Sequence, residues 1–113
     1  MNTQNTLFNK SELLRVIQGS KINTIEDIKN LTDNNVFELL SFIDKESLLH
    51  SMQAASPKLR EKIFYCMNQR PSLLMQEDLE GLPPLPLEKL QSAQINLMIA
   101  YCKWELFGVP DNR

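Results

Sequence analysis

A chain of 113 residues, 42% hydrophobic and 23% charged, has the size and mixture of one soluble domain with one core. Twelve Lys and Arg against fourteen Asp and Glu leave a net charge of −2, which excludes a chain-wide pull toward nucleic acid or anionic lipid and makes any charged recognition local. Residues 1–20 lack the positive start and apolar run of a signal peptide, and no run reaches the roughly 18 apolar residues of a membrane span, so the chain reads as cytoplasmic and not membrane-inserted.

Polar caps ahead of apolar periods recur along the chain, and only three glycines interrupt it, which predicts an all-α domain of compact helices. Residues 1–7 read as a tail. A first helix is expected over Lys10–Gln18, capped by Asn9 with Glu12 three residues on and stopped near Gly19. Thr24 with Asp27 opens a short helix, and Asp33 opens another whose Val36, Leu39, Leu40 and Ile43 follow helical spacing. Asp44 starts the next, with Leu48, Leu49, Met52 and Ala55 inward. Ser56-Pro57 stops it and starts its successor, Ser as cap and Pro at the first helical position, with Leu59, Ile63, Cys66 and Met67 inward.

Pro71 is expected to begin the following helix and Gly81 to end it, ahead of a stiff "GLPPLP" connector. The last helix, Leu87 to Phe107, is apolar nearly all round, the pattern of a helix packed by several others. Trp104 and Phe107 are larger than an outermost turn normally exposes. Either residues 8–18 dock over that turn or the chain self-associates through it. The "LL" pairs, Leu73-Leu74 among them, read as core, and the expected core comprises Leu40, Leu49, Ile63, Met67, Leu74, Leu90 and Leu97.

Chemistry is harder to place. Cys66 and Cys102 lie inside apolar helical patterns with no CxxC or Cys/His spacing, and read as buried free thiols. The one histidine, His50, has no Ser or Cys motif around it and reads as a surface or partly buried side chain. No Gly-rich phosphate loop is present, and Glu77, Asp78 and Glu80 lack a second set of ligands to hold a cation. No enzyme, cofactor or metal is therefore expected.

The segment "NQRPSLLMQEDLEGL" concentrates charge instead. Arg70 and Glu77 lie seven residues apart, two turns of one helix, and so share a face, with Asp78 beside Glu77. Acids in the last turn meet the partial negative charge of a helix C-terminus, so the placement is mildly unfavourable for the helix itself. Exposed pairs contribute well under about 1 kcal/mol, which leaves this ridge free to steer a charged partner.

Two stretches in order, "LREKIFYCMNQR" and "EDLEGLPPLPLEKLQSAQ", resemble the FliG C-terminal domain family, with its LREKFLxNMSxR and (D/E)DLxxxGPVRLxxVExAQ patterns. The similarity runs over roughly Ile22 to Phe107, giving an N-terminal tail and first helix at 1–21, a helical domain at 22–108 and a tail at 109–113. The resemblance implies an armadillo-related domain of six to seven helices in a flagellar motor switch, at the cytoplasmic face of the basal body. There it would contact the stator protein MotA and other rotor and switch proteins. By position, Arg70 falls on the family's motif arginine, and Glu77 and Asp78 on its pair of acids.

The departures from the family are Gln53, where "SMQAA" replaces a motif with a basic residue, and Pro86, where "PPLPL" replaces one with an arginine. The family's MFxF hinge aligns with Ile22-Asn23-Thr24-Ile25 and is scarcely recognisable. About twenty residues precede the match, and the initial methionine favours a stand-alone version over a fragment. Two readings follow: a motor switch component that contacts the stator through a charged helix, or a stand-alone adaptor that keeps the fold and binds a different protein.

Overall fold

The computed structural model describes residues 24–108, so the helix expected over Lys10–Gln18 and both tails lie outside the described residues. Those described are all helical, with no strand among them. A 3₁₀ turn, Ile25–Asn30, leads into α1 (Asp33–Leu39), a second 3₁₀ turn (Leu40–Phe42), α2 (Lys45–Ala54), α3 (Pro57–Cys66), α4 (Gln69–Glu80) and α5 (Leu87–Lys103), which ends in a π turn, Trp104–Gly108.

Helix starts follow the cap chemistry. Thr24 and Asp27 form a reciprocal capping box. The hydroxyl of Thr32, one residue ahead of the expected start, accepts from Asn35 N–H; Asp44 accepts from Ser47 N–H and Ser56 from Leu59 N–H. α4 begins at Gln69, two residues before Pro71. A proline is tolerated there because first-turn amides have no partner within the helix. Gly81 closes α4 with φ −87°, so no left-handed residue is used, and Leu82-Pro83-Pro84 carries the chain out of the helix.

The core gathers Ile28, Val36, Leu39, Met52, Leu59, Ile63, Leu97 and Tyr101, all at most 1% exposed. Burying each such side chain contributes about 1.5–3 kcal/mol. Its spine is the packing of α2 on α5. Ser51, fully buried, donates its hydroxyl to the carbonyl of Ala93 at 2.9 Å, and the Asn96 amide donates to Ser47 Oγ at 2.9 Å. The small side chains let the helices approach, and their polar atoms are satisfied across the seam. Arg60 of α3 turns back to donate to the carbonyls of Met52 (2.6 Å) and Gln53 (3.0 Å), capping the end of α2.

Two carboxylates tie the first turns to α3. Ser56 donates through N–H and hydroxyl to Glu26, and this bonding holds the Glu26 carboxyl below its usual value. Lys62 meets Asp33 at 2.6 Å and lowers that carboxyl likewise. Cys66 and Cys102 are free and buried, and burial pushes both thiols up. His50 is half-buried, 4.0 Å from Glu46.

The expectation that Leu73-Leu74 is core is corrected. Leu74 is 46% exposed and Leu73 53%, so this pair is not core. On α4 the inward positions are Ser72, Met75 and the half-buried Leu79, at helical spacing, which rotates Leu73 and Leu74 outward. Ser72 is satisfied there, its hydroxyl donating to Phe64 O at 2.8 Å. Ile63 and Leu97 are buried as expected, whereas Leu40, Leu49, Met67 and Leu90 are only partly so.

Trp104 is 5% exposed, while residues 8–18, expected to dock over this turn, lie outside the described residues. The indole N–H donates to Glu38 of α1 at 3.1 Å, and the ring lies 5.7 Å from that of Tyr101. The exposed apolar bulk at this end is Leu106 and Phe107.

Candidate charged ridge on α4

α4 offers two opposite faces. Ser72, Met75 and Leu79 pack inward, while Arg70, Leu74 and Glu77, at i, i+4 and i+7, line up on the solvent side. The helical rise puts Arg70 and Glu77 about 10 Å apart along the axis. The structure therefore brings the predicted cation and anion onto one crest, with a leucine between them that sequence reasoning had assigned to the core.

Asp78 sits one step around the helix, on the flank facing α2, where its carboxylate lies 3.6 Å from Lys45 Nζ. Both side chains are largely exposed, so the pair contributes little to stability. Lys45, the first residue of α2, is a member of this surface that sequence reasoning missed, because the two residues lie 33 positions apart in the chain. Among the described residues, Arg70 and Glu77 are in no ion pair. Their charge faces solvent.

Gln53 and Pro86 lie away from this crest. The Gln53 side chain clamps the connector between α4 and α5: its amide NH₂ donates to Pro83 O at 3.0 Å and its carbonyl accepts from Leu85 N–H at 2.8 Å. A lysine could make the first bond but not the second, having no acceptor. The absent charge is thus matched by a bond that needs an amide. Pro86 is the exposed residue ahead of α5, and its carbonyl accepts from Lys89 and Leu90 N–H.

Between α4 and the α1 corner runs an open groove of about 440 Å³, lined by Leu40, Ile43, Met67, Leu74 and Met75, with Lys45 and Arg70 at its edge. A second concavity of about 520 Å³ shares Leu40, Met67 and Pro71 with it and reaches Phe37 and Trp104.

The family described as the FliG C-terminal domain matches residues 9–105. The chain is similar to the flagellar motor switch protein FliG of Aquifex aeolicus, 32% identical over 74 residues that make up 66% of this chain and 23% of that protein. The Thermotoga maritima protein of the same name is 35% identical over 69 residues, 61% of this chain and 21% of that protein. The chain thus spans under a quarter of the length of these relatives. Full-length FliG from Aquifex aeolicus superposes with a TM-score of 0.69 at 26% identity, over 92% of this chain and 36% of that one. A FliG structure from H. pylori shares the fold with a TM-score of 0.71 at 20% identity, over 95% and 54%.

Proposed function

Because the chain belongs to the FliG C-terminal domain family, we propose that it is a component of a flagellar motor switch that contacts the stator protein through the crest of α4. It would act at the cytoplasmic face of the basal body, beside other rotor and switch proteins. The observation that carries the proposal is the charge of Arg70 and Glu77, in no ion pair among the described residues, on the face of α4 opposite its packed side, with Asp78 and Lys45 adjoining. Charges so placed add little to folding and act on partner encounter and register. A basic residue on the partner would meet Glu77 and Asp78, and an acidic one Arg70.

The test is binding of a purified cytoplasmic segment of a MotA-type stator protein. Arg70→Glu should weaken it, the loss should shrink toward 1 M salt, where the screening length is about 3 Å, and an opposite charge reversal in the stator segment should restore it. Unchanged binding, in a folded variant, would contradict the proposal. One observation favours a second reading, a stand-alone adaptor for a different protein: Gln53 is committed to the connector and supplies no charge where the family has a cation. Failure of Arg70→Glu, Glu77→Lys and Asp78→Lys alike to affect stator binding would leave that adaptor in place.

A further inference from the structure

The charged crest is also the bank of an apolar trough. Arg70 and Leu74 belong both to the crest and to the wall of the groove that Leu40, Ile43, Met67 and Met75 complete. Leu74 is 46% exposed and Phe37, at the far end of the adjoining concavity, 49%, so the trough presents apolar surface to solvent at both ends. The volumes, about 440 and 520 Å³, are in the range that takes a few apolar side chains.

Charge decides what kind of segment fits. The edge beside Leu74 carries two cations, Arg70 in no ion pair among the described residues and Lys45 in an exposed pair with Asp78. An occupant therefore needs a carboxylate next to its apolar anchors. A helix meets both demands, with apolar residues on one stripe and an acid one turn away.

We propose that the groove between α4 and the Leu40–Ile43 corner docks an amphipathic helix of a partner protein, its apolar stripe seated over Met67 and Leu74 and its carboxylate on Arg70 and Lys45. This rests on the reading of α4 as a partner surface and deepens it, since recognition then combines an apolar anchor with the charges. Apolar burial sets how long the complex lasts, and the rim cations set how fast it forms.

Two probes test it on the full chain: the cytoplasmic stator segment, and a synthetic amphipathic helix bearing leucines at i, i+4 and i+7 with a glutamate beside them. Trp104, the one tryptophan, lines the adjoining concavity and reports occupancy by its emission. Both probes should bind, and Leu74→Gln should weaken each about tenfold or more with the loss undiminished in high salt. Arg70→Gln should weaken each in a salt-dependent way, and replacing the peptide's glutamate by lysine should do the same. Unfolding curves of the variants show whether the fold is kept, and Leu74→Met, apolar and similar in volume, should bind like the parent.

Stator binding that responds to Arg70 but not to Leu74 would overturn the groove and keep the charged contact. Peptide binding without stator binding would keep the groove and overturn the motor reading. Binding of neither probe, or sedimentation showing self-association that Leu74→Gln abolishes, would overturn the groove as a partner site.

Discussion

α5 and α4 are neighbours in sequence but are built for different ends. α5 buries six of its 17 residues and is stitched to α2 through Ser51 and Asn96, whereas α4 buries two of its 12, Ser72 and Met75, and turns its other faces outward. A helix held by so narrow a stripe is fixed in place by few contacts, among them the Ser72 hydroxyl on Phe64 O. On the proposed function the difference separates scaffold from recognition surface: substitutions on α5 should act on folding, those on the crest of α4 on binding.

The largest effect should come from the scaffold. Leu97→Ala or Ile63→Ala, each removing a fully buried side chain, should cost about 2–5 kcal/mol and lower the melting temperature by about ten degrees or more. A change of a degree or two would mean that the α2–α5 core is far looser than its packing indicates.

Gln53 sharpens the comparison, because it joins the two regions through the connector. Gln53→Lys should cost about 1–2 kcal/mol in a urea titration, since Leu85 N–H loses its acceptor. Gln53→Glu keeps that acceptor and loses only the donor to Pro83 O, so it should cost less. If lysine proves neutral, the clamp does not hold the connector.

Gly81 gives a smaller, opposite effect. Its backbone is in the ordinary helical region and a Cβ would meet only Glu77 O and Asp78 O at 3.8 and 3.9 Å, so Gly81→Ala should raise stability by about 0.4–1 kcal/mol. Smallest of all, Arg70→Glu or Glu77→Lys should move stability by within about 0.5 kcal/mol, as expected for exposed side chains with no ion pair among the described residues. A larger loss from either would show that the crest is part of the scaffold.

Much of this division could be read from the sequence, and the misses share a cause. Caps at Thr24, Asp44 and Ser56 were legible because the cap bond spans only two or three residues. Arg70 and Glu77 were legible as one face because seven residues are two turns. Leu73-Leu74 was misread because an apolar pair does not say which way its helix is turned, and that is set by Ser72 meeting Phe64 on another helix. The seat of Trp104 was not legible for a similar reason: its partner, Glu38, is 66 residues away. Lys45 beside Asp78 and Gln53 beside the prolines are likewise contacts between segments remote in sequence, which periodicity cannot reveal.

Amide hydrogen exchange of the chain, alone and with the cytoplasmic stator segment, tests the central claim most directly, because it reports both regions in one experiment. The expected result is slow exchange along α2 and α5 in the free chain, unchanged by the partner, with new protection confined to α4 and the Leu40–Ile43 corner. Protection gained on α5 or around Leu106 and Phe107 instead, with α4 unaffected, would contradict the assignment of recognition to the α4 crest.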